Sequence, residues 1–139
     1  MKNMFEVLEH PADVGFRATG ASLPELFESA AEALASIVLD PQNVRPATSV
    51  VLTAQGDSNE SLLVNWLSEV LYWLDGERFA TRSFKVRALD SVHLIAEAKG
   101  ERRDRARHET RLVVKGITYH QLKIENHGDR WVCEVYLDV

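Results

Sequence analysis

Two stretches of the chain carry apolar residues at helical spacing. Residues 22–39 repeat apolar positions at intervals of three and four, with Ser22 as an N-cap and Glu25 completing a capping box. Residues 57–76 repeat the pattern, with Asp57 or Ser58 as the N-cap and with Asp75-Gly76 as the C-terminal end of the helix. The pattern therefore predicts two amphipathic helices.

Most of the remaining chain has the composition and alternation of β-strands. The predicted strands cover residues 4–8, 14–19, 49–54, 83–89, 92–98, 111–114, 117–124 and 131–139. Short polar turn sequences separate several of them, which is typical of hairpins. Two helices among many hairpin-linked strands predict an α+β fold, a single domain with two main helices packed on a largely antiparallel β-sheet.

Composition adds bounds to this prediction. The chain has 139 residues, of which 45% are hydrophobic and 27% charged, and this suits one domain spanning residues 1–139. Cys133 is the single cysteine, so no intramolecular disulfide can form, in keeping with a reducing compartment. No apolar run approaches the ~20 residues of a membrane span, and the N-terminus lacks a signal-peptide pattern. We therefore expect a cytoplasmic protein without a membrane partner.

Charge sets a further limit. The net charge of −5 counts against a protein that coats nucleic acid by charge alone, although it leaves room for a local basic patch. The segment 100–109 holds four arginines interleaved with acids. Its simplest interpretation is a solvated loop between strands. Because arginine forks bind phosphate and carboxylate oxygens, contact with phosphate or with an acidic partner surface is the alternative.

Carboxylates stand near both ends of the sequence. Asp13 follows the first predicted strand, and Asp138 and Val139, whose α-carboxylate would be free, end the last one. In that strand the residues expected to face the core are Trp131, Cys133, Val135 and Leu137. Asp138 alternates with them, so its carboxylate is expected on the opposite, more polar side. Three such oxygen ligands would repel one another unless a hard divalent cation lay among them. The residues alone favour a simpler interpretation, in which Asp13 caps a turn and Asp138 is solvated.

The usual local motifs of catalysis and nucleotide binding are missing from the sequence, which has no P-loop, GxGxxG, CxxC or HExxH. Lys115 interrupts an apolar stretch, where it either points to solvent or presents its ammonium group to a partner or to the acidic residues. His120, alone in its neighbourhood, is interpreted as a structural histidine. Two further function classes stay open: a small metal-dependent hydrolase that uses the carboxylates, and an RNA-binding or chaperone-like module.

Several short motifs, taken in order and spacing, resemble the archease family over essentially the whole chain. The main ones are Glu9-His10-x-Ala12-Asp13-Val14-Gly15, Leu63-x-x-Trp66-Leu67, His108-Glu109, Val114-Lys115-Gly116-Ile117-Thr118-Tyr119-His120 and Leu137-Asp138-Val139. Two positions depart from the family pattern: Pro11 stands where threonine is typical, and Gly116 where alanine is. Pro11 stiffens the approach to Asp13 and removes a hydroxyl that could bond there.

This resemblance implies an accessory protein and not an enzyme. Archease-type proteins assist an RtcB-type RNA ligase: they promote guanylylation of the ligase with GTP and its multiple turnover, in tRNA splicing or RNA repair. The expected partner is therefore the ligase, with RNA met only indirectly or weakly and DNA not at all. The fold implied is a compact α+β domain, which agrees with the pattern of predicted elements.

The resemblance also assigns roles to residues. The family's metal site maps onto Asp13, Asp138 and Val139. Calcium is the expected ion, with magnesium or manganese as alternatives. Lys115, His10 and His108 are expected to be functional or partner-contacting residues, and no catalytic residue is expected.

Overall fold

A computed structural model describes residues 4–10 and 13–139; the side chains of Glu9, His10 and Asp13 lie outside this description. The strands in these ranges are β1 Met4–His10, β2 Asp13–Gly20, β3 Thr48–Gln55, β4 Phe79–Leu89, β5 His93–Arg102, β6 Gly116–Asn126 and β7 Trp131–Asp138. The helices are α1 Leu23–Val38 and α2 Asn59–Leu71, with a 3-10 turn at Pro41–Asn43 and a π-helical turn, Tyr72–Gly76, that continues α2. In the part of the chain so described, no helix is long and apolar enough to cross a membrane.

The strands form two antiparallel sheets with the helices between them. Within the described ranges, sheet A has the order β1-β2-β7-β6 and sheet B the order β3-β5-β4. Because α1 packs on β2 and β4, and α2 on β3 and β6, each helix touches both sheets. The predicted α+β fold is confirmed. The strands, expected as one sheet, divide into two because the helices are apolar over more than one face.

Helix α1 is buried around most of its circumference, including two polar residues. The hydroxyl of Ser29 donates to the carbonyl oxygen of Thr19 at 2.8 Å. The carboxylate of Glu28 accepts the N–H of Val86 in β4, also at 2.8 Å. Each buried polar side chain thus ties the helix to a different sheet, because a buried polar group without a partner would be costly.

A single tryptophan joins the two helices to sheet B. Trp66 in α2 is fully buried, donates its indole N–H to the carbonyl oxygen of Phe27 at 3.0 Å, and packs edge-on against Phe84 of β4. Truncation of such a side chain costs about 3–5 kcal/mol of stability. The contact therefore fixes the relative placement of the elements that enclose the core.

Residues 111–114, predicted as a strand, form no strand. The backbone N–H of Arg111 donates to the carbonyl oxygen of Val38 at 2.7 Å. Its guanidinium donates to the carbonyl oxygen of Ser36 at 3.1 Å and lies 3.3 Å from the carboxylate of Asp40. The prediction was wrong because this segment satisfies free carbonyls at the C-terminal end of α1 instead of pairing in a sheet.

The end of sheet A that holds the C-terminal strand has an irregular ladder. Thr118 of β6 is paired with Tyr136 of β7, but the next pair is Lys123 with Glu134. Four residues of β6 therefore stand against one of β7, and Gln121 among them has a left-handed φ of 55°. The bulge changes the direction of side chains at the start of β6.

The alternation expected for β7 is confirmed in part, because Tyr136, on the side expected to be more polar, is also buried. Cys133, Val135 and Leu137 are buried in the core, and Asp138 is exposed. Burial raises the pKa of the Cys133 thiol to about 12, so this cysteine is an unreactive filler of the core.

Candidate functional site

The ladder between β2 and β7 brings the two ends of the sequence together. Its antiparallel pairs run up to Val14 with Leu137, while β2 begins at Asp13 and β7 ends at Asp138. One further step in the same register sets the backbone of Asp13 opposite that of Asp138. Because the side chain of Asp13 is not among those described, the convergence of the two carboxylates stays a prediction.

Lys115 lies beside Asp138 through backbone pairing. The N–H of Lys115 donates to the carbonyl oxygen of Asp138 at 2.7 Å, and Gly116 is paired with Asp138 in the ladder between β6 and β7. Lys115 and Asp138 are both exposed. Among the residues whose contacts are described, none hydrogen bonds to or pairs with the Asp138 carboxylate. The site thus offers an anionic group at the end of β7 and a cationic group from the residue before β6 to solvent.

An open depression of about 410 Å³ borders Asp138 and Val139. Thr118, His120 and Tyr136 also line it. The N–H of His120 donates to the Thr118 hydroxyl at 2.7 Å, a bond at the beginning of the bulge in β6. Sequence reasoning missed His120 as a residue of this surface. A lone histidine in a strand carries no signal for such a placement, which depends on the register and the bulge.

Gly15 allows β2 to approach Tyr136 of β7. A Cβ added at Gly15 would lie 2.6 Å from the carbonyl oxygen of Val135 and 2.7 Å from Cδ1 of Tyr136. Tyr136 is only 5% exposed, although it lies on the same face of β7 as Asp138. The glycine two residues after Asp13 is therefore required by close packing beside the site.

His108 is buried in the loop that follows β5. Its Nδ1 accepts the N–H of Asp104 at 2.8 Å, which assigns the ring proton to Nε2, and Nε2 donates to Glu101 Oε2 at 3.0 Å. The side chain is 0% exposed, so its contacts hold the loop together. His108 does not line the depression beside Asp138. Its predicted partner role stays a prediction, as does that of His10, whose side chain lies outside those described.

Comparison with known families decides the classification. The model of the Archease protein family matches residues 5–139. The chain belongs to the archease family. The protein archease of Sulfurisphaera tokodaii is 38% identical over 137 residues, covering 97% of this chain and 98% of that relative. The protein archease of Pyrococcus abyssi is 37% identical over 139 residues, with the same coverage of 97% and 98%.

Solved structures have the same fold as this archease-family chain. The solution structure of Methanobacterium thermoautotrophicum protein 1598 is similar with a TM-score of 0.81 and 31% identity, over 97% of this chain and 98% of the other. The crystal structure of a Thermotoga maritima archease, described as a possible chaperone, is similar with a TM-score of 0.65. At 21% identity over 95% of this chain and 94% of that one, the second likeness is one of fold alone.

The donor set at the end of β7 suits a hard cation. Asp13 and Asp138 offer carboxylates and Val139 offers a main-chain oxygen, and calcium and magnesium prefer such oxygen ligands. Among the side chains that are described, no three His, Cys, Asp or Glu residues converge on one point. A third carboxylate or imidazole ligand at this end of sheet A would have to come from a side chain outside that set, and Asp13 is the ligand that the sequence predicts. Its backbone position, one step beyond the last pair of the β2–β7 ladder, fits that requirement.

Proposed function

We propose that this chain is a cytoplasmic accessory protein that promotes guanylylation and multiple turnover of an RtcB-type RNA ligase, in tRNA splicing or RNA repair. Family membership supports an archease-type role, and the Thermotoga maritima relative carries the description of a possible chaperone. The observation that carries the proposal is the register of sheet A, in which the backbones of Asp13, Asp138 and Lys115 lie side by side at one end.

In this proposal Asp13, Asp138 and Val139 hold a divalent cation, with calcium as the expected ion and magnesium or manganese as alternatives. The bound cation would neutralise the repulsion between the carboxylates and leave coordination positions for oxygen atoms of the partner. The residues of this chain hold the cation and orient the groups that it binds, and the ligase carries out the chemical step. Asp138 is suited to this task because its carboxylate is exposed while its backbone is fixed by pairing with β6.

Lys115 would engage a phosphate group or a carboxylate of the ligase. Its backbone N–H bonds to Asp138, and its side chain is exposed. Because no ion pair between the Lys115 ammonium group and the Asp138 carboxylate is described, the positive charge stays available to a partner. A lysine ammonium is a point charge that binds phosphate oxygens well. His120 and Thr118, in the same depression, would contact the partner surface around it.

A ligation assay under multiple turnover tests the proposal. We expect Asp13→Asn, Asp138→Asn and Lys115→Gln each to lower the stimulation of the purified ligase at least about tenfold, the scale set by loss of residues that support a metal site. Lys123→Gln and Asp129→Asn are the matched controls. Both residues are exposed, Lys123 on β6 and Asp129 in the turn between β6 and β7, and their substitutions remove the same charges as the site variants.

Two results would overturn the proposal. Full stimulation by all three site variants would show that this end of sheet A is not used. Turnover of phosphoester or nucleotide substrates by the isolated chain, abolished by Asp138→Asn, would instead favour a metal-dependent hydrolase that uses the same carboxylates.

A further inference from the structure

A second polar cleft lies on the sheet B side of the molecule. It has a volume of about 440 Å³ and lies between the 3-10 turn after α1 and the loop that follows β5. We call it the arginine cleft. Its lining residues are Gln42, Asn43, Val44, Arg45, Ala106 and Arg107. These residues supply two guanidinium groups and two side-chain amides, and none of them is acidic.

Two acids adjoin the arginine cleft: Asp104, which accepts the N–H of the lining residue Ala106 at 2.8 Å, and Glu101, which is already fully engaged. Glu101 accepts the backbone N–H of Arg45 at 2.9 Å and the Nε2–H of His108 at 3.0 Å. It also accepts two N–H groups of the Arg107 guanidinium, at 2.8 and 2.9 Å. The Glu101 carboxylate thus holds the two sides of the cleft together. Because a guanidinium has five N–H donors, Arg107 keeps unused donors for a ligand.

One arginine of the cleft lining, one in the loop that follows β5 and one at the end of β5 have guanidinium groups open to solvent. Arg45, Arg102 and Arg105 are exposed, and none of their side chains forms a hydrogen bond or ion pair within the described part of the chain. Arg17 and Arg87 instead bond to Glu134 and Glu97, although Arg78 and Arg130 also have no side-chain partner among the described residues. The arginine cleft and the adjoining loop thus hold a share of the positive charge that is not used within the described chain.

The charges of the chain are unevenly distributed along the sequence. Residues 77–111, which form β4, β5 and the following loop, contain ten Lys or Arg and six Asp or Glu, a net charge of +4. The remaining residues contain six Lys or Arg and fifteen Asp or Glu, a net charge of −9. A segment with this positive balance favours the approach of an anionic partner to the surface that it forms.

We propose that the arginine cleft binds the phosphate backbone of a single-stranded polynucleotide without reading its bases. Phosphate contacts in such complexes come from arginine, lysine and the amides of Asn and Gln, which is the composition of this cleft. None of the lining residues is aromatic, so the cleft has no platform on which a base could stack. The inference is independent of the ligase and goes beyond the function proposed above.

An acidic protein surface fits the arginine cleft less well. Protein interfaces centre on a buried apolar or aromatic anchor and the pocket that receives it. The apolar lining here consists of Val44, which is itself buried in the core, and Ala106, which is exposed but small. The unpaired guanidinium of Arg45 and the remaining donors of Arg107 instead match phosphate groups, each of which accepts bidentate bonds.

Fluorescence anisotropy with a labelled single-stranded RNA of about 20 nucleotides tests this inference with the chain alone. We expect binding at low salt that weakens steeply between about 50 and about 200 mM salt. The double variant Arg45→Gln/Arg105→Gln should lower the affinity about tenfold at low salt. It should also reduce the slope of log affinity against log salt by roughly 0.7 for each phosphate that the variant no longer neutralises.

The matched control is Lys123→Gln/Arg130→Gln, which removes the same charge from exposed positions on β6 and its turn to β7. It should retain the affinity and salt slope of the parent chain. Equal losses in both double variants would overturn the inference, because net charge and not the cleft would then govern binding. Absence of RNA binding by the parent at low salt, or equally tight binding of polyglutamate, would also overturn it.

Discussion

At the scale of single residues, Glu101 shows how one carboxylate organises a segment of the chain. The bidentate bonds from Arg107 are the largest cause that lowers the pKa of the Glu101 carboxyl to about 2, and the bond from the N–H of Arg45 is the second largest. The pKa in the unfolded chain is near the ordinary value of 4.5. Glu101 therefore stabilises the fold fully above about pH 4.5, and this contribution is lost as the pH falls toward 2.

We expect Glu101→Gln to lower the melting temperature at neutral pH and to have a shrinking effect as the pH falls from 4.5 toward 2. The measurement is a series of thermal melts of parent and variant across that range. Glu109→Gln is the control, since Glu109 is exposed in the same loop and has no described partner. A difference between Glu101→Gln and parent that is constant with pH would show that the ionised carboxylate has no special role.

At the scale of elements, glycines in β2 and β6 differ in what surrounds them. Gly15 has no room for a Cβ beside Val135 and Tyr136, whereas a Cβ at Gly116 would meet nothing within 4 Å. The β2–β7 contact therefore requires glycine, and the β6 position does not. The difference gives a pair of matched substitutions at the same end of sheet A.

Gly15→Ala should destabilise the chain by about 1–3 kcal/mol, because the added methyl group forces the two strands apart. Gly116→Ala should be neutral or stabilise it by up to about 1 kcal/mol, because alanine loses less backbone entropy on folding. Urea unfolding of both variants measures these changes. Equal effects of the two substitutions would contradict the packing described for Gly15.

Both helices could be predicted from the sequence because periodicity and caps agreed. Ser22 caps α1 and Ser58 caps α2, where Ser61 completes a capping box. Gly76 marks the end of helical structure as expected, with its last turn in π form. Local patterns were sufficient here because these signals lie within a few residues of one another.

The loop after β5 could not be predicted in the same way. Residues 100–109 were interpreted as a solvated loop, yet Arg103 and His108 are buried. Arg103 donates to the carbonyl oxygen of Leu74 and to the hydroxyl of Thr110, so it fastens the end of α2 to this loop. The sequence has no periodic signal that distinguishes a buried charged residue from a solvated one, because the groups that a buried charge contacts are distant in sequence.

At the scale of the whole molecule, the site joins segments that are far apart in sequence. Chain order alone could not show that Lys115 bonds to Asp138 or that His120 faces the same depression, since both follow from the order β2-β7-β6. The acidic residues themselves could be selected from the sequence by charge and by family resemblance. Their assembly depends on strand order, which hydrophobic alternation does not encode.

If the proposed metal site forms, calcium should stabilise the whole fold. A concentration about a hundredfold above the dissociation constant would add about 2.7 kcal/mol to the free energy of unfolding. Asp138→Asn should abolish this gain. Calorimetric titration and thermal melts with calcium measure both effects. A gain that persists in Asp138→Asn would contradict the proposed site.

The position of β7 has a consequence for synthesis on the ribosome. β7 lies between β2 and β6. Until β7 has left the ribosome, β2 and β6 therefore each have an unpaired edge. At about 5–20 residues per second, β2 is exposed for several seconds before its partner exists. Unpaired edges invite pairing with other chains. A nascent chain stalled before residue 131 should therefore aggregate, and release of the final segment should be the event that closes sheet A.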